Sequence, residues 1–139
     1  MTITLLYAGL LSLWLLVLSV RVIAIRSQGI SLGDGGNPVL LRRIRAHGNF
    51  AEYVPMILVM IGFLEISHFS ALWIHLLGGT LVVSRLLHGY ALSFNESFKF
   101  GRIGGTALTL TLLGVCGFLC IYHALLGRSE EHTSELQSR

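Results

Sequence analysis

The sequence has little charge and little cysteine, and each shortage excludes a class of protein. Only 12% of the 139 residues are charged, about half the proportion found in a typical soluble domain. Hydrophobic residues make up 53% of the chain, more apolar surface than a soluble core of this size can hide. The composition therefore excludes soluble enzyme folds, secreted disulfide scaffolds and disordered chains.

Metal ligands in a usable arrangement are also missing. The two cysteines, Cys116 and Cys120, lie four residues apart on one face of an apolar segment, with no histidine or acidic residue near enough to complete a zinc site. We interpret them as small apolar residues in helix packing. Four histidines without metal-ligand spacing are interpreted as structural or interfacial: His47, His68, His75 and His123. The sequence thus predicts no metal site.

What the sequence does contain is long apolar segments. Three stretches have no Asp, Glu, Lys or Arg: Met1–Val20, Ile66–Ser84 and Ile103–Gly127. About 18 such residues suffice to cross the hydrocarbon core of a membrane as a helix. The sequence predicts four helices, over about Thr2–Arg26, Val39–Ile66, Ser70–Leu92 and Arg102–Leu126. The expected fold is an all-α integral membrane protein, a bundle of four transmembrane helices.

The end of the chain differs in character from the rest. Arg128–Ser138 reads RSEEHTSELQS and resembles the in-frame translation of a sequencing-adapter oligonucleotide. We therefore interpret residues 128–139 as a non-native tail and residues 1–127 as a single membrane domain. The alternative is a genuine polar tail. On the first interpretation, residues after about Ser129 pack against nothing.

Basic residues flank two of the three predicted loops. Arg26, Arg42, Arg43 and Arg45 surround the first loop, and Lys99 and Arg102 surround the third. The turn between the second and third helices has Glu65 and His68 but no lysine or arginine. By the positive-inside rule, both basic loops face the cytoplasm and both termini lie on the opposite side.

Polar residues of all four helices are expected at one level of the membrane. They are Arg21 on the first helix, Arg42, Arg45, Asn49 and Glu52 on the second, Arg85, His88 and Tyr90 on the third, and Arg102 on the fourth. The four on the second helix recur at i, i+3, i+7 and i+10 and form one stripe, and we expect Arg45, Asn49 and Glu52 to be buried. Unpaired charge at this depth costs several kcal/mol, so the excess of arginine favours an anionic ligand. Taken singly, Arg21 and Arg102 could snorkel to the interface, and we interpret Arg42 and Arg43 as topology determinants.

Glycines are expected to mark close helix contacts rather than a phosphate-binding loop, since no GK[ST] motif follows them. They are Gly78, Gly79, Gly104, Gly105, Gly114 and Gly117.

One segment has a specific resemblance to a known family. Residues Arg45 to Pro55 read R-A-H-G-N-F-A-E-Y-V-P and resemble the R-A-x-x-N-x-x-E-[YF]-x-P signature of the MAPEG family, the membrane-associated proteins in eicosanoid and glutathione metabolism. The similarity covers about residues 1–127 and includes an R-x-x-H late in the third helix and an arginine opening the fourth. The short loops resemble those of small bacterial members.

The resemblance implies a homotrimer of four-helix subunits, with glutathione as co-substrate between neighbouring subunits near the cytoplasmic face. Residues matching glutathione contacts are Arg21, Arg45, Asn49, Glu52, Tyr53 and His88. Arg102 matches the arginine proposed to hold the thiol as thiolate and is the expected catalytic residue. Arg85 and Tyr90 complete the glutathione-binding candidates. In one departure, the family tyrosine four residues after the histidine is Leu92 here, and the nearby tyrosine is Tyr90.

The chemistry of the residues agrees with that ligand. Glutathione carries two carboxylates, an ammonium group and a thiol, which several arginines and one glutamate complement. A guanidinium beside a thiol in a low-dielectric site favours the nucleophilic thiolate. A site at this depth opens sideways to lipid, so the second substrate would arrive from the bilayer.

Three functions stay open from the sequence. The first is a glutathione transferase or peroxidase of the bacterial inner membrane, acting on lipophilic electrophiles or hydroperoxides. The second is a non-catalytic lipid-binding protein or scaffold of the same family. The third is a small transporter subunit with a broken helix, for which Pro55 is the only hint. The expected partners are further copies of the chain, membrane lipids and a lipophilic small molecule, with no nucleic acid.

Overall fold

Four helices account for most of the chain. The computed structural model describes the backbone of residues 1–95 and 97–137 and the side chains of residues 1–95 and 97–126. The helices are α1 (Thr2–Arg26), α2 (Pro38–Ile66), α3 (Ala71–Ser93) and α4 (Lys99–Gln137). The packing of the tail beyond Ser129 lies outside the described side chains, and its interpretation as non-native stays a prediction.

Helix boundaries follow local chemistry. The α2 helix begins at a cap in which Asn37 Oδ1 accepts hydrogen bonds from Val39 N at 2.9 Å and Leu40 N at 3.1 Å. Pro38 takes the first helical position, where its missing N–H costs nothing. The α4 helix begins at Lys99, three residues before the predicted start at Arg102, and ends at Gln137, beyond the predicted end at Leu126. The all-helical, four-span prediction is confirmed for the described residues.

The α2 and α3 helices form the centre of the bundle. They pack against each other, α1 packs on one side of the pair and α4 on the other, and α1 and α4 do not pack together within the described residues. The core is aliphatic and aromatic, and its members include Leu11, Leu18, Phe50, Ile57, Ile61, Ile74, Leu81 and Cys116. The α2 helix runs unbroken through Pro55. Pro55 therefore gives no support to the hypothesis of a transporter subunit with a broken helix.

The outer surface of the bundle suits a lipid environment. All four helices are long and apolar enough to cross a membrane, the last of them over Lys99–Leu126. Large apolar side chains face outward, among them Leu5, Leu13, Phe63, Phe100 and Phe118. Helices that are apolar all round are typical of membrane spans. The chain is a multi-pass integral membrane protein.

The predicted small-residue contacts are confirmed at some positions and wrong at others. The Tyr7 ring lies directly against Gly78, and α3 backbone lies directly against Gly105. By contrast, Gly104, Gly114 and Gly117 have no neighbouring atom within 4 Å of where a Cβ would stand. Spacing alone could not separate them, because which face of α4 meets α3 is decided by packing. Cys116 is buried, and the Cys120 thiol lies 3.8 Å from the Met60 carbonyl oxygen, consistent with a packing role.

An acidic side chain at the opposite end of the bundle from the basic loops holds the start of α1. Glu65 accepts hydrogen bonds from Ile3 N at 2.9 Å, Thr4 N at 2.8 Å and Thr4 Oγ1 at 2.5 Å. The Met1 amino group lies 3.5 Å from the same carboxylate. These N–H groups have no partner within their helix, and a carboxylate complements the positive end of the helix dipole. Glu65 therefore joins α2 to α1 across the bundle.

We expect Glu65→Gln to lower the free energy of unfolding by about 2 kcal/mol, since hydrogen bonds to a charged acceptor contribute more than neutral ones. Thermal unfolding in detergent measures the change. Thr4→Ser keeps the hydroxyl donor to Glu65 and serves as the matched control, with a smaller loss from the one buried methyl group. Equal stability of the parent and Glu65→Gln would show that the cap contributes nothing.

Candidate functional site

The basic end of the bundle, where α1 and α3 end and α2 and α4 begin, contains a polar cavity. This cavity has a volume of about 310 Å³ and is lined by Leu41, Arg42, Arg45, Asn49, His88, Leu92, Arg102 and Thr106. We call it the arginine cavity. The described residues lining it include three arginines, Arg42, Arg45 and Arg102, and no acidic residue.

Two further cavities adjoin the arginine cavity. The outer one, of about 370 Å³, shares Arg42, Leu92 and Arg102 with it and adds Lys99 with apolar residues of α3 and α4. The inner one, of about 60 Å³, shares Asn49, His88 and Thr106 and is lined further by Tyr53, Arg85, Thr109 and Leu110. The three cavities thus form a series from the basic end into the bundle, with polar side chains along its length.

His88, on α3, contacts both α2 and α4 at the junction of the arginine and inner cavities. Its Nε2 lies 3.3 Å from Asn49 Nδ2, and its Nδ1 lies 3.1 Å from Thr106 Oγ1 and 3.4 Å from the Arg102 carbonyl oxygen. A carbonyl oxygen only accepts, so the latter contact assigns the ring proton to Nδ1. The Nε2 atom is then the acceptor for the Asn49 amide. His88 is buried, and these contacts fix its ring.

Arg85 is a buried cation that joins α3 to α4. Only 2% of its surface is exposed, and its guanidinium donates to the Gly105 carbonyl oxygen at 3.0 Å and to Thr109 Oγ1. Thr109 in turn donates to the Gly105 carbonyl oxygen at 2.7 Å. Satisfying a guanidinium with carbonyl and hydroxyl oxygens reduces the cost of burying it. Arg85 therefore has two roles. It binds the backbone of α4, and it lines the inner cavity.

Gly105 makes this approach of α3 and α4 sterically feasible. A Cβ at position 105 would stand 2.7 Å from the Ser84 carbonyl oxygen and 2.8 Å from His88 N. Both are backbone atoms that cannot rotate away. The absence of a side chain at Gly105 thus allows His88 and Arg85 to reach α4.

We expect Gly105→Ala to destabilise the protein by about 1–3 kcal/mol, the usual cost of overpacking. The neighbouring Gly104→Ala is the matched control, because it meets open space and gains roughly 0.5–1 kcal/mol of helix propensity. Thermal unfolding of the two variants in detergent measures both effects. A Gly105→Ala variant as stable as Gly104→Ala would contradict the close contact.

The structure places Arg21 away from the arginine cavity. Its Nε donates to Ser93 Oγ at 2.8 Å, a second nitrogen donates to the Ser93 carbonyl oxygen, and the guanidinium lies 3.6 Å from the Phe94 ring centroid. Arg43 donates to the Arg21 carbonyl oxygen at 2.7 Å. Arg21 therefore ties the end of α1 to the end of α3, on the side of the bundle that α4 does not touch.

Tyr90 also lies outside the arginine cavity. It is 47% exposed, and its ring stacks on Phe94 with 5.7 Å between centroids and meets Phe98 edge-on at 6.2 Å. Leu92, two residues later, is buried and lines the cavity. A shift of two residues turns a side chain by about 200° around a helix. The tyrosine thus points away from the site that the family position faces.

The expectation that Arg45, Asn49 and Glu52 are all buried is wrong within one subunit. Asn49 is half-buried, whereas Arg45 and Glu52 are exposed on the outer face of α2. At about 100° per residue, Arg45 and Glu52 lie roughly 40° and 60° around α2 from Asn49, both on the same side, and both reach the surface. Arg45 still lines the arginine cavity, and Glu52 lines none of the three cavities described above.

Six predicted site residues therefore come together and three do not. Those that line the arginine or inner cavity are Arg45, Asn49, Tyr53, Arg85, His88 and Arg102. Those that lie elsewhere in the subunit are Arg21, Glu52 and Tyr90. The sequence interpretation missed Thr106 and Thr109, although they follow Arg102 by four and seven residues and so share its helix face. No group of three or more metal-ligating side chains occurs among the described residues.

The fold and the site define a four-helix integral membrane protein with a cationic cavity at one end. Comparison with known proteins agrees with the resemblance in the second helix. The chain matches the model of the MAPEG family over residues 4–122 and belongs to that family.

Curated relatives indicate a membrane location without an activity. The chain is 36% identical over 109 residues to the inner membrane protein YecN of Escherichia coli K12, covering 78% of this chain and 82% of the relative. The same values hold for the protein of that name in Escherichia coli O6:H1. No solved structure matches the chain significantly.

Proposed function

We propose that the protein is a glutathione-dependent transferase or peroxidase that activates the glutathione thiol for attack on lipophilic electrophiles or hydroperoxides. The observation that carries the proposal is the arginine cavity, where Arg45 and Arg102 line one space together with Asn49 and His88. Two carboxylates of one ligand can each pair with a guanidinium there. The cavity and its outer neighbour together offer room for an extended tripeptide.

Arg102 is the proposed activating residue. It lies in the first turn of α4, where the helix dipole adds positive potential to the charge of the side chain. Both effects stabilise a thiolate relative to a thiol. Asn49, whose amide donates to Nε2 of His88, lies in the same cavity and can offer its second N–H and its carbonyl oxygen to the peptide part of the ligand.

The outer face of α2 supports an assembly of subunits as the working form, and the family resemblance makes that assembly a homotrimer. Glu52 lies about 21 Å along α2 from Pro38, at 1.5 Å per residue, which is deep in a hydrocarbon core of roughly 30 Å. It is exposed in a single subunit, and a carboxylate facing lipid at that depth costs several kcal/mol. A neighbouring subunit that covers this face removes the cost and brings Glu52 into the site.

Arg21 supports the same assembly. Within one subunit it lies on the α1 side of α3, and α1 and α4 do not pack together in the described part of the chain. Its guanidinium is held at Ser93 and Phe94, outside the cavity that Arg102 lines in the same subunit. A glutathione bound between subunits can meet Arg102 of one chain and Arg21 of the next.

The decisive experiment is an absorbance titration of the detergent-purified protein with glutathione, following the thiolate band in the ultraviolet. We expect a saturable band at neutral pH. S-methylglutathione, which has no ionisable thiol, is the control that binds without producing the band. Calorimetric binding of glutathione without a thiolate band would contradict the enzyme and favour a non-catalytic protein.

A second candidate function rests on a different observation. An apolar groove of about 300 Å³ lies between α1 and α2 near the opposite end of the bundle, lined by residues such as Leu5, Ala8, Val59 and Phe63. A groove of this shape suits an acyl chain, so a lipid-binding or scaffold member of the family is the alternative. That alternative predicts lipid retention without any glutathione binding.

The proposed location is the bacterial inner membrane, with the basic loops in the cytoplasm and both termini on the other side. The inner-membrane relative and the positions of Arg26, Arg42 and Lys99 beside the two loops support it. Reporter fusions to the C-terminus measure the orientation. A reporter that is active only in the cytoplasm should be inactive at the C-terminus. If it is active, the orientation is the opposite of the one proposed.

A further inference from the structure

Arg85 is a buried cation for which the described residues offer no counter-charge. It lies about 12 Å along α3 from Ser93, at 1.5 Å per residue, and is 98% buried within the subunit. The ion pair found among the described residues is at Glu65, at the opposite end of the bundle. The hydrogen bonds that Arg85 donates to Gly105 and Thr109 are to neutral oxygens. The positive charge is therefore solvated in part but not neutralised.

One guanidinium nitrogen of Arg85 has no hydrogen-bond partner. Its Nε is fully buried and unpaired, although a buried donor without an acceptor costs about 1–3 kcal/mol in mutational data. The inner cavity of about 60 Å³ adjoins this side chain. Since a water molecule occupies about 30 Å³ of liquid, the cavity admits about two water-sized species and is too small for a glutathione molecule.

The groups around the inner cavity are suited to an anion. Asn49 and Tyr53 each bring an N–H or O–H, and no carboxylate occurs among the described lining residues. The arginine cavity shares Asn49 and Thr106 with it, and its three guanidinium groups attract anions toward the entrance. An anion of halide size that reaches Arg85 would accept a hydrogen bond and neutralise a charge in a low-dielectric site.

From this geometry we propose that the inner cavity is a binding site for a compact monovalent inorganic anion of the halide class, held by Arg85 with Tyr53. The anion stabilises the junction of α2, α3 and α4 where His88 lies. The inference does not depend on glutathione binding, because the site lies behind the arginine cavity and needs no organic ligand.

The test uses detergent-purified, glutathione-free protein and replaces sodium gluconate with sodium chloride or bromide at constant ionic strength, so that screening stays unchanged. Gluconate is too large for the cavity. We expect a saturable rise in Tm of about 3–6 °C when the halide reaches ten times its dissociation constant. A Tm that is equal in gluconate, chloride and bromide would overturn the proposal.

Variants separate the cavity from surface charge. Arg85→Gln should abolish the halide response, and Tyr53→Phe, which removes one hydroxyl donor, should weaken halide affinity two- to tenfold. If Arg85→Gln does not fold, Tyr53→Phe decides. Arg26→Gln is the matched control, since Arg26 has an equally unpartnered Nε but lies outside the three polar cavities. A retained response in Arg85→Gln and an unchanged affinity in Tyr53→Phe would each overturn the site, as would a lost response in Arg26→Gln. Bromide-soaked crystals should give an anomalous peak beside Arg85.

Discussion

Replacing Arg102 with alanine is expected to lower the rate of glutathione conjugation roughly a hundredfold, the usual loss when one preorganised donor to a developing or stabilised anion is removed. Most of the glutathione affinity should remain, because Arg45 and Asn49 still line the cavity. The thiolate band should disappear along with the rate. Stopped-flow measurement with a model electrophile and the absorbance titration check the two effects separately.

Graded variants make the role of Arg102 specific. Arg102→Lys should be intermediate, because lysine supplies the charge but not the planar fork of a guanidinium. Arg26→Gln removes a cation from the same end of the bundle without touching the arginine cavity and should keep the parental rate. If Arg102→Ala turns over the electrophile at the parental rate, thiol activation belongs to another residue.

Arg45→Ala and Glu52→Gln are each expected to weaken glutathione binding by about 1.5–3 kcal/mol, the range for a hydrogen bond to a charged partner. That energy corresponds to a 10- to 150-fold higher Kd. The guanidinium of Arg45 would pair with a ligand carboxylate, and the carboxylate of Glu52 with the ligand ammonium from a neighbouring subunit. Isothermal titration calorimetry with glutathione measures the loss.

Arg26→Gln is the matched control for this pair. Arg26 lies at the same end of the bundle but lines none of the three polar cavities. Its loss should leave the Kd little changed. Light scattering of Glu52→Gln separates loss of the trimer from loss of the ligand contact. Parental affinity in both Arg45→Ala and Glu52→Gln would remove the glutathione site from this face of α2.

The helices were readily predicted because membrane spans are recognised from composition alone. The predicted first helix, Thr2–Arg26, matches α1, and the predicted ends of α2 and α3 fall within one residue of those observed. A span needs enough uncharged residues to cross the hydrocarbon core, whatever it packs against. The start of α4 was placed too late, since Lys99 is charged and composition gives no reason to extend a span through it.

Part of the site was predictable because neighbours on a helix face are set by periodicity. Arg45 and Asn49 follow from spacing along α2, and Arg85 and His88 from spacing along α3. Arg21 and Tyr90 show the limit of that reasoning. Both lie at the correct level of the bundle, yet their contacts with Ser93 and Phe94 are on the far side of α3 from the arginine cavity. The depth of a residue in the membrane follows from its position in the span. The direction that its side chain faces depends on how the helices are rotated against each other.

The sequence by itself determined that this chain crosses a membrane four times, that its cations gather at one end, and that its second helix carries the family signature. These properties are local, because hydropathy and helical spacing are fixed within a single segment. Only the tertiary structure decided that α3 packs closely against Gly105 and not against Gly104. It also decided that Glu65 caps α1 from across the bundle and that Arg85 is buried beside a cavity. Those properties depend on the rotation and approach of whole helices, which are set by the packing of many side chains at once.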